Sequence, residues 1–281
     1  MSLNYYAHEG MMRFNAQSKS SLSDTTVNSN GSGTNIFYNN FTLGLNYGLV
    51  PRLRVSVSEG LLWDQSNEGA ANSSLSNGPS DPTFTLAWRY LEAGETGLSG
   101  DISAQLVPSI GASIPANPTA NVTGNNLNGY STATAQSVLF WRYAENEFSF
   151  TGTASRRFQG QVNGTDASTT LSISPLWQYS YGVADRLHLG NRFYIGISVL
   201  GNQVGNTIKN GADGIQKVVT HDGYWTYTGD LGYRPEPYYC FVFSVSKETN
   251  SYTSSQTNTA NVLSTNKNTF AQLFFQHQFR L

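Results

Sequence analysis

The chain has 281 residues, only 12% of them charged, and a formal net charge of −2, yet its mean hydropathy is −0.34. The polarity comes from Ser, Thr, Asn, Gln and Gly, a balance foreign both to an ordinary soluble domain and to a helical membrane protein. The charge excludes a general nucleic-acid-binding surface; a lone cysteine, Cys240, excludes an intrachain disulfide framework; and no stretch approaches the ~18 apolar residues of a membrane helix, so any span must be made of strands.

Met1-Ser2-Leu3 carries no basic segment followed by an apolar one, so the start reads as a mature or recombinant one, any export signal having been removed. From there about twelve segments alternate apolar and polar residues with period 2, each near the ~9–11 residues of a tilted membrane strand. They cover 10–20, 34–48, 53–63, 82–91, 97–109, 131–143, 147–158, 168–183, 187–200, 218–233, 238–248 and 268–281. In the second, Phe37, Phe41, Leu43, Leu45 and Tyr47 fall on one side of the pleat and Tyr38, Asn40, Thr42 and Asn46 on the other. In the third, Glu59 falls on the apolar side, where a charge costs on the order of a few kcal/mol, so a bulge is expected near Glu59-Gly60 to turn the carboxylate inward. The eighth sets Leu171, Ile173, Trp177, Tyr179 and Tyr181 against Thr170, Ser172, Ser174, Gln178 and Ser180. Pro175 inside it lacks a ladder donor and predicts a local bulge or bend. The last segment alternates Leu273, Phe275, Phe279 and Leu281 with Gln272, Gln276, Gln278 and Arg280, as the closing strand of a membrane barrel must, with lipid on one side and a wet lumen on the other.

The connections differ by kind. Those at 49–52, 92–96, 144–146, 184–186 and 234–237 are short, polar and turn-forming, whereas those near 21–33, 64–81, 110–130, 159–167, 201–217 and 249–267 are mostly longer and rich in Asn, Ser, Gly and Thr. Short and long alternate along the chain, the asymmetry of outer-membrane barrels with short periplasmic turns and long extracellular loops. An even strand number then leaves both termini periplasmic. Tyr47, Trp88, Tyr90, Trp141, Tyr143, Tyr181 and Tyr233 all lie near a short connection and are expected to form one interfacial girdle.

The inward face carries whatever chemistry exists. Arg13, Arg54, Arg89, Arg142, Arg192 and Arg280 are expected to point into the periplasmic half of the lumen, with Asp101 and Asp230 as the main inward acids. Asp101 is expected to pair with Arg89 or Arg142, and Asp230 with Arg192. Two readings stay open: a constriction with net positive potential that favours anionic or electron-rich solutes, or a network of ion pairs that braces the wall. Short hydroxyls on strands six to eight, Thr132, Thr134, Ser149, Thr151, Thr153, Ser155, Thr170, Ser172 and Ser174, face longer groups across the ring, among them Asn15, Gln17, Lys19, Gln272, Gln276 and Gln278. That asymmetry leaves room for a polar passage, unless the 110–130 segment with Pro115, Pro118 and Gly124 folds into it.

Catalytic readings are weaker. Among His8, His188, His221 and His277, His277 falls on the lipid face and His188 at the periplasmic mouth, and no H-E-x-x-H, G-x-S-x-G or Cys/His metal cluster occurs. No enzyme, cofactor or metal site is therefore expected.

Gly78-Pro-Ser-Asp81-Pro82 resembles the Gly-x-Gly-Asp-Pro entry of a group of outer-membrane channels known as phenol-degradation MetA-pathway proteins or outer-membrane transporters, with Ser80 in place of a glycine. Ile114-Pro115 and the Gly/Asn-rich run after it are similar to that group's Leu-Pro-Thr-Gly stretch, with Ala116-Asn117 in place of Thr-Gly, and Tyr5-Tyr6-Ala7-His8 is similar to its early Tyr-Tyr segment. The resemblance implies a twelve-stranded channel, often encoded beside pathways for aromatic or hydrophobic compounds, and transfers no catalytic residue and no defined substrate.

The expected fold is thus all-β: a single domain over 1–281 forming a transmembrane antiparallel up-and-down barrel in the bacterial outer membrane, in contact with its lipid and lipopolysaccharide. The expected function is passive diffusion of small solutes, anionic, aromatic or hydrophobic. A barrel-embedded lipid hydrolase and a binding or adhesion platform made by the long loops are the alternatives.

Overall fold

The computed structural model describes residues 11–27, 33–67, 73–92, 97–111, 125, 127–163, 170–211, 216–221, 223–235, 239–256 and 262–280. Every described element is a strand: β1 (Met11–Val27), β2 (Gly33–Val50), β3 (Leu53–Asn67), β4 (Ser73–Pro79), β5 (Thr83–Leu91), β6 (Leu98–Val107), β7 (Thr132–Tyr143), β8 (Asn146–Arg157), β9 (Gly160–Asn163), β10 (Thr170–Ile173), β11 (Leu176–Leu189), β12 (Phe193–Val204), β13 (Thr207–Gly211), β14 (Gln216–His221), β15 (Tyr224–Tyr233), β16 (Tyr239–Gln256) and β17 (Val262–Arg280). The pairs β4/β5, β8/β9, β10/β11, β12/β13 and β14/β15 each form one interrupted stave, so the seventeen strands make twelve staves.

All pairings are antiparallel and run from each stave to the next, and β1 pairs with β2 on one side and with β17 on the other, from Met11↔Arg280 to Val27↔Ser264. The ladder therefore returns to its start and the sheet is a closed barrel. Closure leaves no edge whose N–H and C=O groups would be unsatisfied in hydrocarbon.

Inside and outside follow from the pleat. On β5, Phe84, Leu86, Trp88 and Tyr90 are exposed while Thr85, Ala87 and Arg89 are shielded; on β15, Trp225, Tyr227, Leu231 and Tyr233 are exposed while Thr226, Thr228 and Asp230 are shielded. The exterior is thus an apolar band with a polar interior, the inverse of a soluble domain. Tyr47, Trp88, Tyr90, Trp141, Tyr143 and Tyr233 lie outward near the short turns, as expected. Tyr181 does not join them: it meets Trp225 edge-on at 5.8 Å, and with Trp177, Tyr179 and Tyr227 it forms a second belt nearer the far end. Trp225 and Tyr233 are eight residues apart on one strand, so the belts are separated by roughly 20 Å at a typical strand tilt.

Three expectations are corrected. The turn expected at Ala184-Asp-Arg186 is absent, because β11 runs through to Leu189 and is paired on both sides; the chain reverses at Gly190-Asn191-Arg192. Gly190 has φ 69°, a left-handed conformation that Asp185 and Arg186 would reach only with strain. Second, the ladder between β2 and β3 is unbroken at Leu43↔Glu59, and Glu59 is exposed on the outer face. The extra residue is on the neighbouring stave: from Ser58 to Leu61 β3 advances three residues while its partner advances four, from Thr83 to Pro79. The bulge at Ser80-Asp81-Pro82 is stitched to Gly60, whose N–H donates to Ser80 Oγ at 3.1 Å and whose carbonyl accepts from the Ser80 N–H at 2.8 Å. Third, much of the expected long loops is sheet. Strands β1, β2, β3, β16 and β17 have 17, 18, 15, 18 and 19 residues, well past the ~9–11 needed to span, and raise a collar on one side of the far end.

At Pro175 the strand is interrupted, but no residue is inserted: the register on both sides is the same before and after it, so the expected bulge is absent. Stave eight is interrupted at Ser174-Pro175, and the neighbouring staves are interrupted opposite it, at 158–159 and 205–206. Arg157 bridges this seam from inside, its guanidinium donating to the Ser174 carbonyl at 2.9 Å and to Thr207 Oγ1 at 3.3 Å.

Candidate functional site

The inward side chains near the short turns form a charged belt. Arg13 on β1 is 1% exposed and shares its row with Asn46 on β2. Arg54, at the start of β3, faces inward beside Gly48 and Ala87. Register puts Arg280, opposite Met11, on the same face as Gln278 and Arg13; its side chain lies outside the described residues.

The expected pairing of Asp101 with Arg89 is present. The residues are direct cross-strand partners on β5 and β6, and Arg89 donates from Nε to Oδ1 at 2.9 Å and from Nη2 to Oδ2 at 3.3 Å. This two-pronged geometry suits a planar guanidinium. Asp230 does not pair with Arg192. Arg192 is exposed in the turn before β12, outside the belt, and its carbonyl accepts from the Arg234 N–H at 2.7 Å. Asp230 instead lies opposite Gly196, which lies opposite Arg186, so acid, glycine and arginine form one row across β15, β12 and β11. The glycine leaves the space: a Cβ there would stand 3.1 Å from Arg186 Cγ and 3.4 Å from Asp230 Oδ2.

Arg186 is the residue that sequence reasoning missed. It is 6% exposed, donates to Glu147 Oε1 at 3.2 Å, and stacks its guanidinium 5.2 Å above the Tyr194 ring. The signal was present, since Val183, Leu187 and Leu189 continue the outward alternation of Tyr179 and Tyr181, placing Arg186 and His188 inward. Tyr194 in turn fits against a missing side chain: a Cβ at Gly232 would overlap its ring. Ring over glycine recurs outside, where Tyr90 covers Gly100. Such pairs cover the backbone that a strand glycine exposes.

Above the belt the wall of short hydroxyls is present on staves six and seven, with Thr134 Oγ1 and Ser155 Oγ at 2.9 Å and Gln136 donating to Thr153 Oγ1 at 3.4 Å. At the foot of the 110–130 segment, Asp81, 3% exposed, accepts from the Ile110 N–H at 3.0 Å and the Asn128 N–H at 2.8 Å. Both ends of that segment are thus fixed to the bulge at 80–82; Pro115, Pro118 and Gly124 lie outside the described residues. Among the described residues no group of His, Cys, Asp and Glu has the grouping of a metal site.

Among the described residues, Arg13, Arg54, Arg89, Arg142 and Arg186 outnumber the inward acids Asp101, Glu147 and Asp230 in this half of the barrel. Arg89 and Arg186 are held in ion pairs, with Asp101 and Glu147, that join neighbouring strands.

No protein-family model matches the chain, and no curated protein matches it in sequence. Among solved structures, the COG4313 outer membrane channel from Pseudomonas putida F1 is similar to it with a TM-score of 0.66 and 12% identity, over 99% of this chain and 100% of that one. The transport unit of the autotransporter AIDA-I from Escherichia coli is similar with a TM-score of 0.57 and 10% identity, over 99% and 93%. At these identities the likeness is one of fold, and the fold is that of an outer-membrane β-barrel along the whole chain.

Proposed function

We propose that this chain is an outer-membrane channel for passive diffusion of small solutes, with a preference for anionic or aromatic ones, and that residues 1–281 form its single barrel domain. The short turns and both termini face the periplasm and the tall collar faces outward. Lipid surrounds the apolar band, and lipopolysaccharide phosphates lie near the outward Arg156, stacked 5.1 Å above Trp177, and the outward Lys247. The observation that carries the reading is the surplus of inward arginines over acids among the described residues of the short-turn half of a closed polar ring, an arrangement that focuses a positive potential where solutes must pass. The name of the Pseudomonas protein, a channel of the same fold, supports it.

Reversal potentials in planar bilayers under a KCl gradient test the proposal. The parent is expected to conduct with anion preference, and Arg54→Gln and Arg142→Gln to weaken that preference. Cation preference in the parent overturns the selectivity, and a folded barrel without conductance overturns the channel.

A further inference from the structure

We infer that the short-turn mouth holds a built seat for one oxyanion group, a carboxylate or phosphate, made by Arg142, Arg192 and Arg234 with His188 and Tyr194. These side chains come from three different places, the end of β7, the β11/β12 hairpin with its turn, and the residue after β15, and they line one cavity. Glu147 is the one acid among the described residues lining it, and it is already engaged by Arg186 at 3.2 Å. The cavity wall is therefore cationic in excess.

The second observation concerns neutral donors. Tyr194 is 5% exposed, and among the described residues its hydroxyl has no hydrogen-bond partner; His188 Nε2 is likewise buried without one. A buried phenol with nothing to bond costs about 1–3 kcal/mol, so a ligand that accepts from it is favoured by the amount it relieves. An oxyanion does so while also accepting from the guanidiniums, which suit carboxylate and phosphate in two-pronged geometry. A cation is repelled, and a neutral apolar group leaves the same donors unsatisfied. His188 and Tyr194 lie ring to ring at 6.0 Å, and Gly232 lets the Tyr194 ring lie against the wall. The seat deepens the channel reading by giving anionic solutes a stopping place at the periplasmic mouth, yet it stands on its own geometry.

Calorimetric titration of the purified full chain in a lipid-free neutral detergent, with chloride holding ionic strength constant, tests it. Sodium benzoate and inorganic phosphate are the probes. Binding at one site is expected for at least one of them, weakened about fivefold to tenfold by Arg142→Gln or Arg192→Gln and about threefold by Tyr194→Phe, the size of a partly exposed charge-assisted or neutral hydrogen bond. Arg52→Gln, at the same end but paired with Glu92 at 2.9 Å, is expected to bind as the parent does. Tighter binding of phosphate assigns the seat to phosphate-bearing ligands such as lipid headgroups, and tighter binding of benzoate to carboxylate solutes. No binding of either up to about 20 mM, a range that admits even weak complexes, or equal weakening by Arg52→Gln, overturns the seat. Because the readout is heat and not current, a barrel that binds without conducting defeats the channel alone, and one that conducts without binding defeats the seat alone.

Discussion

Removing the Asp81 carboxylate should destabilise the barrel by about 3 kcal/mol. The side chain is 3% exposed and accepts two backbone hydrogen bonds, from Ile110 at 3.0 Å and Asn128 at 2.8 Å. Hydrogen bonds to a charged acceptor contribute roughly 1.5–3 kcal/mol each. The lower end applies because Ile110 is 58% exposed and water can reach part of what is lost. Asp81→Ala therefore forfeits two such bonds, while Asp81→Asn keeps one acceptor oxygen and should forfeit about half as much. Urea titrations of the barrel refolded into lipid vesicles, followed by tryptophan fluorescence, give the difference directly. The reasoning is refuted if Asp81→Ala lies within about 0.5 kcal/mol of the parent, or if the Asn and Ala variants are equally unstable, since either result means that the two oxygens are not separately engaged.

Further outcomes follow from other features. Glu59→Leu should stabilise the folded barrel by about 1 kcal/mol, since it removes a carboxylate from the lipid-facing side; a loss in the same urea titration would mean that the carboxylate has an inward or interfacial partner. Gly232→Ala should cost about 2–3 kcal/mol by driving a methyl group into the Tyr194 ring, and Gly232→Ala combined with Tyr194→Leu should recover much of it. Asp101→Asn should cost about 2 kcal/mol, discounted because Arg89 keeps some access to water, and Arg89→Gln added to it should cost less than the two single changes together; additive losses would deny the coupling.

The parts legible in the sequence were those set by the pleat. Phe84, Leu86, Trp88 and Tyr90 alternate with Thr85, Ala87 and Arg89, and burial in lipid on one side only allows a single register. Arg89 and Asp101 could be matched for the same reason, since one short connection separates their strands and a direct cross-strand pair is the nearest complementary contact. What failed was local chemistry outvoted by the ladder. Ala184-Asp-Arg186 has turn composition, but pairing on both sides keeps it extended, and Gly190 supplies the reversal a few residues later. That shift removed Arg186 from the expected belt and placed Arg192 in it. The bulge was sought on the strand that carries Glu59, whereas backbone geometry placed it one strand over, where Pro82 and Asp81 suit an irregular stretch. The Tyr194–Gly232 and Tyr90–Gly100 fits depend on which residues oppose one another across strands, which periodicity along one strand does not encode.

The seam across staves seven to nine has a consequence for the wall above it. Between Leu176↔Arg157 and Ile173↔Gly160 both strands advance by the same number of residues, as they do between Gln178↔Val204 and Ile173↔Lys209. The regular ladder breaks there without slipping, and the Ser174 N–H still donates to the Ile208 carbonyl at 2.9 Å and the Gly205 N–H to the Trp177 carbonyl at 3.1 Å, so the wall resumes in phase and wet faces stay wet above it. The upper rim on that side is therefore keyed to the girdled waist below, each strand resuming against the neighbour it had before the gap.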